Sequence, residues 1–144
     1  CPGAQARDIR PAGDAYESKE DRRAPSQLSQ WPIQLHLISP HAPYFKDCDL
    51  LIAADCTAFT FGAFHPEFLK GKKLVIACPK LDDTSPYVEK LAELFKLQTP
   101  KSVTAVIMEV PCCGGLRRFV ETAAQFSKSE ISIKTHVMSL QGEI

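Results

Sequence analysis

A chain of 144 residues that is 44% hydrophobic and 24% charged has the composition of one globular domain with a real core. Seventeen basic side chains balance seventeen acidic ones, which leaves no electrostatic footprint for nucleic acid or an anionic membrane. No apolar run approaches the roughly 20 residues of a membrane span and no leader pattern opens the chain, so a cytoplasmic protein is expected, whose six cysteines serve metal or redox chemistry rather than a disulfide framework.

Residues 1–30 are polar, proline-bearing and without sustained period, and read as a linker or loosely packed arm. The start at Cys1-Pro2-Gly3-Ala4, without methionine, suggests a fragment or processed chain. Residues 31–144 form the expected domain. Ile33 to Ile38 alternates apolar residues with Gln34 and His36 and predicts a half-buried strand with His36 on its surface side. Leu50 to Ala54 is a short continuous apolar run and predicts a strand buried on both faces. Cys48 stands at its entrance and Cys56 just past its exit, roughly 25 Å apart at about 3.3 Å per residue, so the two cannot share one site.

An aromatic stretch with His65 and Pro66 predicts one or two short helical turns, and Leu74 to Ala77 a third strand that ends at Cys78-Pro79-Lys80-Leu81-Asp82. Tyr87, Val88, Leu91, Ala92, Leu94 and Phe95 lie at helical spacing, with Ser85 as N-cap and Pro86 in the first turn. Val103 to Val110 predicts another buried strand, closed by Cys112-Cys113-Gly114-Gly115, and Leu116 to Phe126 a helix. Ile131 to Leu140 alternates as a half-exposed edge strand. The order predicts an α/β fold, a Rossmann-like three-layer sandwich around a mostly parallel sheet of about five strands.

Parallel strands put their carboxyl ends on one edge, where open α/β sheets hold ligands. Cys56, Cys78, Cys112 and Cys113 follow three such ends, so the topology gathers four thiols that are scattered in sequence. Four thiolates suit an iron-sulfur cluster of the 4Fe–4S kind, with zinc as the alternative metal. Gly114 and Gly115, opening a helix, would offer backbone N–H groups and the positive end of a helix dipole to such a centre, or would simply turn the chain. His65 is a candidate extra ligand or proton carrier. Lys80 and Asp82 read as an exposed, solvated pair. Glu109, inside an apolar run, needs either a partner or a raised pKa and is a candidate for a proton-coupled role.

The blocks Trp31-Pro-Ile-Gln-Leu-His-Leu37, Leu51-Ile-Ala-Ala-Asp-Cys56, Phe64-His65, Cys78-Pro-Lys-Leu-Asp82 and Met108-Glu-Val-Pro-Cys-Cys-Gly-Gly115, with the final Gly142-Glu143-Ile144, carry a resemblance. Over residues 31–144 the chain resembles the C-terminal domain of bacterial and archaeal ferredoxin-like proteins known as iron-sulfur binding. The resemblance implies iron-sulfur electron transfer. In that family a ferredoxin module ending in Cys-Pro precedes this domain, which would make Cys1 the last cysteine of a truncated module. Cys48 departs from the family pattern and is not expected to be a ligand. The expected function is thus an iron-sulfur protein in electron transfer or redox chemistry, partnered by a ferredoxin module or other redox protein, with homodimer formation open. The alternative is a zinc- or thiol-based structural or interaction module, and whether the protein is an enzyme stays undecided. A nucleotide enzyme ranks last, because no Gly-x-Gly-x-x-Gly and no Walker-type loop follows a strand.

Overall fold

The computed structural model describes residues 25–144 and the backbone of Arg7–Asp8. Cys1 and the rest of residues 1–24, with the expected module remnant, lie outside the described residues. Strands β1 (Arg7–Asp8) and β2 (Gln30–Trp31) make a small antiparallel pair. The main body follows as β3 (Asp49–Ala54), α1 (Thr57–Thr60), a π-helical turn at Phe64–Leu69, β4 (Lys73–Ala77), α2 (Tyr87–Gln98) and β5 (Ser102–Met108). A 3-10 turn at Pro111–Cys113 then leads into α3 (Gly114–Ser127) and β6 (Ser132–Met138).

The four long strands form one sheet in the order β4-β3-β5-β6, and every neighbouring pair is parallel. This is the α/β architecture that the alternation of strands and crossover helices predicts. Leu50 to Ala54 are all buried, and because successive strand residues face opposite ways, both faces of β3 are covered. On one side α2 and α3 pack together, with Tyr87 and Phe119 edge to face at a centroid distance of 6.0 Å. In α2 the fully buried Tyr87, Leu91, Leu94 and Phe95 recur at the spacing of one helical face, and each contributes about 1.5–3 kcal/mol of apolar burial as an upper estimate. The helix ends where Thr99 takes a left-handed conformation, φ 44°.

Two local expectations are corrected. Ile33 to Ile38 is not a strand: Gln34 bridges Ile76 alone, and the chain then curls so that Leu37 and Ile38 N–H both donate to the Gln34 carbonyl at 2.8 and 3.0 Å. The alternation fails because Leu37 is 48% exposed, while Leu35 and Ile38, three apart, are the buried pair. The regular sheet therefore has four strands and a one-residue stub beside β4. Ser85 does not cap α2 either. Its N–H and hydroxyl both donate to Asp83 Oδ1, at 3.1 and 2.7 Å, and Pro86 occupies the cap position without a side-chain bond.

The packed body begins upstream of residue 31. Gln30 is fully buried, its amide donating to the Leu74 carbonyl at 2.5 Å and accepting from Leu74 N–H at 3.2 Å. After β6 the chain folds back in a turn held by Ser139 N–H to the Glu143 carbonyl (2.8 Å) and Gly142 N–H to the Ser139 carbonyl (3.1 Å). Gly142 has φ +79°, and a Cβ there would sit 2.6 Å from the Thr60 carbonyl oxygen, so only glycine lets this turn lie against α1. Leu140 N–H donates to Glu109 Oε1 at 2.8 Å, which ties the same turn to the exit of β5.

Candidate cysteine site at the carboxyl edge of the sheet

Register places the candidate thiols. Ala54 pairs with Ala77 and Ala53 with Val106, so Cys56, Cys78 and the Pro111–Cys113 turn all leave the sheet at the same edge. All four cysteines are free. Cys56 and Cys112 are exposed, Cys78 is half-buried and Cys113 is buried. Cys48, at the opposite end of β3, is half-buried, and burial pushes its thiol pKa up to about 11. It is removed from the site by position and is kept protonated by its surroundings.

Each turn is fixed by its own hydrogen bonds. The Cys56 carbonyl accepts from Phe59 N–H and Thr60 N–H, both at 3.2 Å, and from the Thr60 hydroxyl at 3.0 Å. The buried Thr57 hydroxyl donates to the Ala54 carbonyl at 2.7 Å. Cys78 opens a tight loop in which its N–H donates to Asp82 Oδ2 at 2.8 Å while its carbonyl accepts from Asp82 N–H at 3.0 Å. Cys113 N–H donates to the Val110 carbonyl at 3.1 Å. Burial raises the Cys113 thiol pKa, and a bond from the Met108 backbone opposes the rise; the neighbouring Cys112 and then Cys56 add to it, so the first and third cysteine-bearing turns act on the same thiol.

The two glycines separate. A Cβ on Gly115 would meet Pro79 Cβ at 3.2 Å, so Gly115 lets the Cys78-Pro79 loop press on the start of α3. Gly114 has ordinary right-handed helical dihedrals, φ −59° and ψ −22°, and a Cβ there would meet nothing within 4 Å. Neither backbone strain nor packing within the chain calls for glycine at position 114.

A polar cluster that the sequence reading missed borders the thiols. The fully buried Tyr87 donates its hydroxyl to Asp82 Oδ2, and burial, followed by Asp82, holds that hydroxyl protonated far above the ordinary range. Asp82 thus joins Cys78 N–H to the start of α2 instead of pairing with the exposed Lys80. Its spacing of four residues after Cys78 in a turn was the available signal. Tyr87 was hidden inside an apolar helical pattern. Asp55, beside Cys56, accepts from Gln34 Nε2 at 3.3 Å, and burial, followed by the Asp82 charge, raises its pKa. Asp55 Oδ1 and Gln34 Oε1 are buried with no hydrogen-bond partner.

Two expected participants lie elsewhere. Glu109 is exposed, not buried in its strand, and its carboxylate accepts from Leu140 N–H, so the premise for a proton-coupled role is withdrawn. His65 accepts Gln27 N–H at Nδ1 (3.1 Å) and lines a cavity to which none of the four cysteines contributes.

Among the described residues, no three His, Cys, Asp or Glu side chains converge closely enough to hold a single metal ion. Tetrahedral zinc, with Zn–S bonds of about 2.3 Å, would require such convergence. A cluster of several irons spaces its ligands more widely, and the donor set here is the all-thiol set that such clusters take. The four thiols fit that group by their chemistry, and Gly114 has open space at its Cβ position.

The sequence model of the Rossmann-like domain family matches residues 42–144. An uncharacterized protein of the archaeon Archaeoglobus fulgidus is 26% identical over 118 residues, covering 82% of this chain and 83% of that protein. No solved structure matches. No helix among the described residues is long and apolar enough to cross a membrane.

Proposed function

The chain belongs to the Rossmann-like domain family, and on that premise we propose that it is an iron-sulfur protein in which Cys56, Cys78, Cys112 and Cys113 hold a cluster of the 4Fe–4S kind. The observation that carries this reading is the arrival of four free thiols at the carboxyl ends of three parallel strands. Such a cluster supplies reversible one-electron transfer. The chain's own residues bind, shape and tune it. Cys113 must give up its proton against the cost of burial. The amino end of the 14-residue α3 offsets that cost through its dipole, which favours negative charge there, while the Gly114 N–H itself is spent on the Pro111 carbonyl.

Asp82 accepts the Cys78 N–H at 2.8 Å and so would hold the loop that carries this ligand in place. The exposed Cys56 and Cys112 mark the side open to an electron donor or acceptor, which we take to be a ferredoxin module or another redox protein.

The test is anaerobic purification with iron and acid-labile sulfide analysis of the wild type and of single Cys→Ser variants. Iron and sulfide in comparable amounts are expected, with visible absorption that dithionite bleaches. Loss of most of the iron is expected for each of Cys56→Ser, Cys78→Ser, Cys112→Ser and Cys113→Ser, and no loss for Cys48→Ser. Stoichiometric zinc without sulfide would overturn the reading in favour of a structural thiol site.

A further inference from the structure

Cys112 and Cys113 are neighbours in sequence and also through their side chains. Both are free thiols in the 3-10 turn Pro111–Cys113, and the two side chains share a hydrogen bond. Cys56 also acts on Cys113, but through charge and without such a bond. The pair differs in access, since Cys112 is exposed and Cys113 is buried in the core. An exposed thiol with a second thiol in reach is the arrangement in which oxidation passes through a sulfenic acid to a disulfide. The next residue is Gly114, which neither strain nor packing requires to be glycine. Its backbone freedom lets the turn re-form around a ring closed just before it.

We propose that, in the chain without metal, peroxide joins Cys112 to Cys113 as a reversible disulfide. The Cys112 sulfur, as thiolate, attacks one oxygen of hydrogen peroxide and the O–O bond breaks. The departing hydroxide takes up the proton that Cys112 gave up and leaves as water, and Cys112 is left as the sulfenic acid. The Cys113 sulfur then attacks the Cys112 sulfur, the S–O bond breaks, and the hydroxyl leaves with the Cys113 proton as a second water. Two thiols lose two electrons in all, and the peroxide gains them. Adjacent Cα atoms lie about 3.8 Å apart, closer than the roughly 4.4 Å at which the usual range of disulfides begins, so this bond is strained and easily reduced.

The pair is thereby a peroxide-sensitive lock on the four-thiol edge. Closed, it withholds two of the four sulfurs from a metal, and a thiol reductant returns them. That consequence rests on the proposed metal binding, whereas the closure itself does not.

The test treats the reduced, metal-free full chain with stoichiometric hydrogen peroxide, then with N-ethylmaleimide and trypsin. Cleavage after Lys101 and Arg117 releases residues 102–117, whose two cysteines are Cys112 and Cys113. That peptide is expected to be two hydrogens lighter and unlabelled, and millimolar reduced glutathione should return both thiols to labelling. In Cys113→Ala, with its fold checked by circular dichroism, Cys112 should accumulate as a sulfenic acid that dimedone traps. Labelling of both cysteines after peroxide, a bond from this peptide to the one that carries Cys56, or closure that glutathione does not reverse would each overturn the proposal. So would a Cys112 that dimedone leaves unmodified in the folded Cys113→Ala variant. No metal enters the assay, so its outcome is separate from that of the iron and sulfide analysis.

Discussion

Asp82 has one carboxylate oxygen serving two donors, Cys78 N–H and the Tyr87 hydroxyl. Removing the acceptor and removing a donor therefore differ in cost. Asp82→Ala strands a fully buried hydroxyl and should destabilise the metal-free protein by about 2 kcal/mol, whereas Tyr87→Phe deletes the hydroxyl itself and should cost about 1 kcal/mol. The double variant should cost less than the two singles together, because no orphaned hydroxyl remains. Urea unfolding measures all three, and strict additivity would contradict the shared-oxygen account. At this scale the sequence was partly legible. Cysteine positions are visible to anyone counting strand ends, and Cys56, Cys78, Cys112 and Cys113 do share an edge. Hydrogen-bond partners are not visible, since Asp82 in a turn and Glu109 in an apolar run look like a solvated and a buried charge, and the fold reverses both.

Elements add what single residues do not. The start of α3 carries two adjacent glycines with different reasons to be glycine, one pressed by Pro79 and one facing open space. Gly114→Ala should raise the stability of the metal-free protein, by up to about 1 kcal/mol, because it removes a flexible helical residue and meets no neighbour. If a cluster lies beside this turn, the same variant should retain less iron. Thermal unfolding of the metal-free form and iron content of the anaerobic form measure the two effects, and a rise in both would separate Gly114 from the cofactor. The strands β3, β4 and β5 and the helices α2 and α3 were readable from period and length because each buries at least one face, and β6, where Met138 alone is buried, was readable from its alternation. Ile33 to Ile38 was not, because a six-residue segment with buried Leu35 and Ile38 satisfies a strand pattern on paper and a turn in space.

Among the described residues the sheet has one edge with the single cysteine Cys48 and one with four cysteines. Cys48 has a folded pKa of about 11 against an ordinary 9.0. The unfolded chain loses this proton first as pH rises, so the folded state binds the extra proton between those values and stability falls through the window from pH 9 toward 11. Below pH 9 the group makes no such difference. Cys48→Ala should flatten that alkaline decline, measured as thermal midpoint against pH, and an unchanged slope would show that Cys48 is not its source. The parallel sheet that creates the two edges was evident from the alternation of strands and helices. Which residues beyond the thiols face each edge depends on how loops return, and no local pattern encodes that.

The turn at residues 139–143 gives the four-cysteine edge a schedule. It leans on Thr60 through Gly142 and is bound to Glu109 through Leu140, so it bridges the turn after Cys56 and the turn before Cys112. These two supports are separated by 49 residues of chain and are brought to a common brace by residues synthesised after both. The pairing of β3 with β5 sets the spacing of the first and third cysteine-bearing turns, and on the ribosome the brace across them is added last.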